Sequence, residues 1–221
     1  MKKNIVIIGS SGHARVVIDI VEKQNNYNIV GLIDPFRRIG EKTSGYNVIG
    51  KIENIIELYD QYRIDGCIVA IGDNWVRHNE VERLVSIKDD ICFINAIHPS
   101  AQIGSNVKIG TGTVIMAGAI VNSNSSIGSH IIINTKASID HDCVLADYSS
   151  LAPNSTLAGA VKIGSYTAVS LSATIVGSVN LGEHCLIGAC SLILHDVDSY
   201  KLVYGVPGRI IRDRKPGEKY L

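Results

Sequence analysis

The sequence has no surplus of charge of either sign. Lys plus Arg and Asp plus Glu both number 21 in 221 residues. A nucleic-acid partner would favour a basic excess, so the balance argues against nucleic acid as the main partner. No apolar run approaches the roughly 18 residues that a membrane span needs. Near the N-terminus, Ile5, Val6, Ile7 and Ile8 form the longest uninterrupted apolar stretch before Gly9. That is too short for the core of a signal peptide and reads as a buried first strand. The five cysteines (Cys67, Cys92, Cys143, Cys185 and Cys190) are odd in number and form no C-x-x-C pair. They read as small buried hydrophobes in a reducing cytoplasm. The glycine turn Gly9-Ser10-Ser11-Gly12 also lacks the G-x-G-x-x-G spacing, which argues against a dinucleotide redox cofactor.

What the chain has in abundance is a period. Stepping by six from Ile97 through Ile103, Ile109 and Ile115 to Ile187 and Ile193 meets an aliphatic residue at all seventeen positions. If about a third of positions were aliphatic at random, such a run would arise roughly once in 10⁸ trials, so the period belongs to the fold. Four residues after each lies a second series, from Ala101, Val107 and Thr113 to Cys185, Ser191 and Val197. Apart from Ile131 its members are small or valine. A chain that turns every six residues makes triangular coils of three hexads. The aliphatic residue fills the interior beside each corner. The second inward residue must be small because the prism is narrow, and strands of successive coils pair in parallel about 4.8 Å apart. An α-helix is excluded, because six does not match a period of 3.6. The outer faces would carry Met116, Leu171 and Leu194, which a lone chain would expose, so an oligomer is expected.

Residues 1–94 have a different rhythm. Residues 5–8, 29–33 and 67–71 read as strands. Residues 14–23, 53–62 and 75–87 read as helices, the first with Val16, Val17, Ile20 and Val21 inward. Strand–helix alternation implies a small parallel α/β sheet. The expected organisation is an α/β half-Rossmann domain over residues 1–94, a β-helix over residues 95–201 and a tail over residues 202–221. The tail carries Gly205, Pro207, Gly208 and a basic cluster of Arg209, Arg212, Arg214 and Lys215.

Two places carry chemistry. A glycine turn that enters a helix suits a phosphate, because free N–H groups and the helix dipole point at it. Gly9, Ser10, Ser11 and Gly12 have that form, with His13 directly after them; the plainer reading is a tight strand-to-helix turn. Asp34 closes the second strand, either as an acceptor for a base or ribose or as a simple turn residue. The second place is Ile139-Asp140-His141-Asp142-Cys143. Ile139 and Cys143 are inward positions, so His141 stands outside the prism. A neighbouring carboxylate holds an imidazole in one tautomer and makes it more basic, which suits a general base. An exposed histidine is also often merely solvated. Asp140, His141, Asp142 and Cys143 have the composition of a metal site, but Cys143 points inward, so no shared metal is expected.

Over nearly its whole length the chain resembles the sugar O-acyltransferases of the sialic acid O-acetyltransferase type. That family includes bacterial N-acetyltransferases of nucleotide-linked 4-amino-4,6-dideoxy sugars. The matching stretches are IIGSSGHARVVIDI, VGLID, VAIGDNWVR, IHPSA, GTVIMAGAIVN, IINTKASIDHDCV, LAPNSTLAGAVKIG and VYGVPGRII. The hexads IGSNVK, IGTGTV and IGSHII resemble the wider hexapeptide-repeat transferases, which implies a left-handed parallel β-helix. The resemblance further implies a homotrimer with active sites between neighbouring β-helices, acetyl-CoA as donor along that groove, and no metal. It implies a cytoplasmic enzyme of surface-glycan or glycoprotein biosynthesis whose α/β domain holds the nucleotide sugar.

Residue by residue, His141 falls on the family's catalytic histidine and Asp142 on the acid after it. Gly9, Ser10, Ser11, Gly12, His13, Asp34, Gly72, Asp73 and Asn74 fall on the nucleotide-sugar side. Ser150, Gly159, Ser170, Ala173, Gly205, Pro207 and Arg209 fall on the CoA side. The implied chemistry is direct transfer: His141 removes a proton from the acceptor amine as it attacks the thioester. A hydroxyl acceptor, on sialic acid or a related sugar, is the alternative. Two departures leave acyl positioning open. Ser150 stands where many members have a second histidine, and Ser170-Leu171-Ser172-Ala173 stands in place of a glycine-rich stretch. A zinc lyase of the gamma carbonic anhydrase type would need a histidine five residues after His141, where Ala146 stands. A non-catalytic scaffold is the remaining rival, motivated by Ser150.

Overall fold

The computed structural model describes residues 2–220. Its N-terminal part is a five-stranded sheet built around β1 (Lys3–Ile8), with β2 (Tyr27–Ile33) and β5 (Gly66–Val69) parallel on either side. The hairpin β3 (Lys42–Thr43) and β4 (Tyr46–Gly50) extends the sheet beyond β2. It was not anticipated from the sequence. Its turn uses Ser44 and Gly45, both at positive φ (47° and 86°), a conformation usually signalled by Asn-Gly. The helices are α1 (Gly12–Gln24), α2 (Ile55–Tyr62) and α3 (Asn74–Ile87). α1 buries Ala14, Val17, Ile18, Ile20 and Val21. Val16, expected inward, lies on the solvent side, because the stripe at 14, 17, 18 and 21 is the one that a 3.6-residue period places on a single face.

The C-terminal part is the parallel β-helix. Seventeen two-residue strands, from β6 (Ala96–Ile97) to β22 (Leu192–Ile193), occur one per hexad, each ending on the aliphatic column. Each of the first fourteen, β6 to β19, pairs with the strand eighteen residues on, as Ile139 does with Leu157. The first face of the prism holds every third strand from β6, the second face every third from β7, and the third face every third from β8. The hairpin β23 (Lys201–Gly205) and β24 (Gly208–Asp213) closes the far end of the first face.

From Ile115 onward every member of the aliphatic column is buried. The first three are not: Ile103 is 38% exposed, and Ile97 and Ile109 are partly covered. The column expected to be core throughout is core only from its fourth member, since the first coil has no coil beneath it. Inward hydroxyls are satisfied by the neighbouring coil. Ser125 donates to the carbonyl of Asp140 (3.0 Å) and accepts from the N–H of Cys143 (3.1 Å). Thr167 does the same with Gly182 (2.6 Å) and Cys185 (2.9 Å). A polar atom is thereby tolerated in a dry prism.

The corners add a third series. The residue three after each column position has positive φ at fifteen consecutive hexads, from Asn106 to Cys190, and only Gly112 and Gly118 among them are glycine. Bonds such as Ala119 N–H to Met116 O (3.2 Å) make these type II turns, which require positive φ at the third position. A side chain there costs roughly 1–2 kcal/mol. Ladder bonds to the coil below, such as Asp142 N–H to Ser123 O (3.1 Å), offset it.

The α/β domain packs on the first face, where Val114, Met116 and Ile132 share one apolar cluster with Val17, Ile20 and Val21 of α1. Met116, expected to be exposed on an outer face, is buried there; Leu171 (55%) and Leu194 (41%) are exposed as expected. Helix α3 docks on the corner between the third and first faces. The turn residues His130, Tyr148, Tyr166 and His184 recur there every eighteen residues and stack at 5.1, 5.6 and 4.5 Å between ring centroids. Trp75 and His78 of α3 pack against this stack. Beneath them Arg77, 1% exposed, donates to the carbonyls of His130 (2.8 Å), Tyr148 (3.1 Å), Ile71 (3.0 Å) and Gly72 (3.0 Å) and to Asn74 Oδ1 (2.8 Å).

Two outcomes are expected from this packing. Ile139→Asp or Ile163→Asp puts an unpaired charge in the prism and costs several kcal/mol in denaturant unfolding, whereas Ile103→Asp at the open end costs about 1 kcal/mol or less. Burial, and secondarily the charge of Arg77, push the imidazole of His130 down to about 4. The fold therefore holds it neutral while the unfolded chain takes up a proton near pH 6.5. Stability is full above pH 6.5 and is lost as pH falls towards 4. His130→Tyr, which keeps a ring in the stack, should flatten that acid limb in pH-dependent melting.

Candidate functional site

The glycine turn is built as a tight bend. Gly9 has φ of 103°, and a Cβ there would come within 3.1 Å of the carbonyl of Ala70, so no other residue fits well. Ser11 is the N-cap of α1, but its hydroxyl does not cap the helix. The first N–H groups of a thirteen-residue helix therefore stand open beside Ser11 and Gly12, both exposed. Ser10 is buried, and its hydroxyl donates to Asp34 Oδ2 (2.6 Å). Asp34 Oδ1 takes the N–H groups of Phe36 (2.9 Å) and Arg37 (3.1 Å). The carboxylate read as a base or ribose acceptor thus also takes up the turn role that the sequence left open, accepting from Ser10 and from its own loop.

Between the α/β domain and the first face lies a cavity of about 370 Å³. Its polar lining comes from His13, Asn134, Ser150, Ser170 and Tyr220, and Gly72 contributes backbone; Ile132, Leu151, Val169 and Leu171 make an apolar wall. The structure thus brings His13 and Gly72, expected on the sugar side, to the same cavity as Ser150 and Ser170, expected on the CoA side. None of these lining residues carries a formal charge. His13 Nε2 is buried and has no hydrogen-bond partner in the protein. Burial, then the charge of Arg77, lower this imidazole to about 4, so it is neutral at physiological pH.

Other expected residues have structural duties. Asp73 caps α3 by accepting from Trp75 and Val76 N–H (both 3.0 Å). Asn74 bonds the carbonyls of Tyr166 (3.2 Å) and Thr167 (3.3 Å) as well as Arg77, riveting α3 to the prism. Ala173, expected on the CoA side, has its side chain wholly inside the prism, as one of the small inward residues.

His141 lies at the corner between the second and third faces, in the turn that follows β13 (Ser138–Ile139). Its Nδ1 meets Asp142 Oδ2 at 2.7 Å, and its own N–H donates to Asp140 Oδ1 (2.8 Å). The hydrogen bond to Asp142, reinforced by the field of Asp140, raises the imidazole above its ordinary value. The ring lies over Gly159, where a Cβ would come within 2.7 Å of it. Gly177, one coil further on, continues the bare corner. Cys143 is inside the prism, its thiol turned to the carbonyl of Ala158 (3.3 Å). Among the described residues no group of three or more His, Cys, Asp or Glu side chains gathers as a metal site would require.

A further cavity of about 460 Å³ at the far end of the prism is lined by His195, Pro207, Gly208 and Arg209; Gly205 sits in the adjoining hairpin bend. The sequence reading missed Tyr220, Asn134 and the aromatic stack. The eighteen-residue spacing of His130, Tyr148, Tyr166 and His184 was the available signal for the stack; nothing local marks Tyr220. Among the described residues no helix is long and apolar enough to cross a membrane.

Residues 4–84 match the PglD N-terminal domain family. The chain is 34% identical over 117 residues to a UDP-N-acetylbacillosamine N-acetyltransferase of Bacillus subtilis, a match spanning 52% of each. It therefore covers about half the length of that relative. It is similar in structure to a perosamine N-acetyltransferase of Caulobacter crescentus in complex with CoA and GDP-perosamine, at 32% identity and a TM-score of 0.89. That match covers 95% of this chain and 97% of the other. It is also similar to the acetyltransferase domain of PglB from Neisseria gonorrhoeae in complex with acetyl coenzyme A, at 26% identity and a TM-score of 0.86, over 96% of this chain and 100% of that one. With that identity and a shared fold over nearly the whole of both chains, the chain belongs to the hexapeptide-repeat nucleotide-sugar N-acetyltransferases.

Proposed function

We propose that the protein transfers the acetyl group of acetyl-CoA to the 4-amino group of a nucleotide-linked 4-amino-4,6-dideoxy sugar, with His141 as general base. The observation that carries this reading is the hydrogen bond of His141 to Asp142 on a corner kept bare by Gly159 and Gly177. With Nδ1 held by the carboxylate, Nε2 is the nitrogen that accepts a proton. The acceptor amine gives it that proton as its nitrogen bonds to the thioester carbonyl carbon. The tetrahedral adduct then collapses, the C–S bond breaks, and the imidazolium returns the proton to the CoA thiolate. Asp142 holds the tautomer and stabilises the imidazolium in between.

The 370 Å³ cavity suits the sugar of the acceptor: neutral polar groups surround it, and its apolar wall would favour a 6-deoxy methyl. The diphosphate would lie towards the open N-terminus of α1. The relatives in complex with CoA, acetyl-CoA and GDP-perosamine support both substrate classes. Acetyl-CoA and nucleotide sugars are cytoplasmic metabolites, and the reading places the enzyme there.

The cavity is on the first face, while His141 is on the corner between the second and third. One chain does not bring them together, which supports a homotrimer in which a neighbouring prism supplies the imidazole. Exposed Leu171, Leu194, Val144, Ile210 and Ile211 offer apolar surface for it to cover. Light scattering should give three chain masses; a single chain mass would contradict the assembly.

The decisive assay is acetyl-CoA consumption with UDP-, dTDP- and GDP-linked 4-amino sugars and free sialic acids. His141→Ala should lower kcat by about 10²–10⁴-fold with an unchanged melting temperature. The base acts unprotonated, so wild-type kcat/KM should fall as pH drops through the raised His141 pKa. Asp142→Asn should cost less than His141→Ala and shift that acid limb to lower pH, because the largest cause of the raised pKa is gone. Wild-type turnover by His141→Ala at neutral pH would end the proposal.

A further inference from the structure

The tail does not trail away after β24. The carboxylate of Glu218 takes both terminal nitrogens of Arg212 (2.6 and 3.2 Å) and the N–H of Lys215 (3.2 Å). Arg214, itself buried, donates to the carbonyl of Glu218. Gly217, at φ of 69°, fits against the indole of Trp75, where a Cβ would come within 2.6 Å of Nε1. This folded segment delivers the ring of Tyr220 to the wall of the 370 Å³ cavity, beside Ser150.

The hydroxyl of Tyr220 accepts the N–H of Asn74 (3.1 Å), a first-turn donor of α3 that the cap Asp73 leaves free. Having accepted there, it keeps its own proton to give. Within the chain the available taker is Ser150 Oγ at 3.4 Å, a long contact, and the other direction is the cavity. Burial raises the phenol above its ordinary value, so it is a donor and not a base at neutral pH. The small side chain of Ser150 leaves room for the ring. With the neutral, unpartnered Nε2 of His13 on the same cavity, two uncharged polar groups address whatever lies within it.

We infer that Tyr220 is a specificity residue of the acceptor site, its hydroxyl donating a hydrogen bond to an oxygen of the sugar ring substituents. The inference rests on the proposal that the acceptor sugar occupies this cavity. A hydroxyl fixed at one end by Asn74 discriminates between sugars that do and do not present an acceptor atom at that spot, because the mismatched sugar leaves a buried group unpaired.

The test is steady-state kinetics and melting of the wild type, His13→Ala, Tyr220→Phe and a chain stopped after Lys219, with acetyl-CoA and UDP-, dTDP- and GDP-linked 4-amino-4,6-dideoxy sugars. Tyr220→Phe should raise the acceptor KM roughly threefold to tenfold, the effect of one neutral hydrogen bond. It should leave the acetyl-CoA KM unchanged, lower the melting temperature no more than the loss of the single bond from Asn74 does, and narrow the preference among the sugars. The shortened chain should show at least the same rise. An unchanged acceptor KM in Tyr220→Phe, a rise in the acetyl-CoA KM alone, or a joint rise of both with a lower melting temperature would each overturn the inference. If His13→Ala raises the acceptor KM while Tyr220→Phe does not, the cavity is the acceptor site and Tyr220 is only part of the clamp. If neither variant changes it, or the wild type turns over none of these sugars, the cavity reading falls and the inference with it.

Discussion

Five N–H groups on one buried cation must all find oxygens, or the charge cannot remain in the interior. Arg77 finds four backbone carbonyls and one amide oxygen, two of the carbonyls in its own β5–α3 loop and two in successive coils of the prism. Burial lowers it to about 10, still charged at neutral pH. Because the partners are fixed dipoles, the guanidinium sets the angle of α3 and the height of the Gly72 loop against the first face. The cavity between the halves owes its shape to that placement. The charge of Arg77 also adds to burial in keeping His13 neutral, so the residue that sets the geometry of the cavity wall bears on its electrostatics too.

The repeat supplies the corner proposed for catalysis without any special element. His141 and Asp142 are the second and third residues of an ordinary type II turn, the same turn that closes the neighbouring hexads. Asp142 has the positive φ (59°) of its whole series. That backbone conformation brings the carboxylate round to Nδ1 of the preceding residue. What distinguishes this corner from the others is chiefly what sits one and two coils on: two glycines rather than side chains. The groove is made by omission, and the dyad by a turn the fold makes anyway.

The prism was legible in the sequence because burial repeats with the strand period, and seventeen aliphatic positions leave one register. The outward placement of His141 was legible for the same reason, since the register tells which residues point out; the choice of Asp142 over Asp140 as its partner came from the family resemblance. The ends and the docked surfaces were not. Ile103 holds the same hexad position as Ile139 and differs in having no coil beneath it. Met116 reads as an outer-face residue until the α/β domain is placed over it. The positive-φ series escaped notice because its members include Lys136, Tyr148 and Ala160, which carry no turn signature. Ala173 was assigned to the CoA side by resemblance, although its place in the inward series already put it inside. Tyr220 meets Asn74 across 146 residues of sequence, a separation at which no local pattern survives.

A stack of coils touches only its neighbours, so it comes apart from its ends inward, one layer at a time. The open first coil, with Ile103 half out of the core, is the end where such fraying begins. The layers just above that end are tied down from the side. Arg77 grips the coils of His130 and Tyr148, Asn74 grips the next one through Tyr166 and Thr167, and the tail clamps Asn74 in turn. Fraying that starts at the first coil meets α3 at the layer of His130, and passes it only by dragging the helix off three layers at once. The α/β domain thus braces the solenoid from the side and couples the unfolding of those layers to its own.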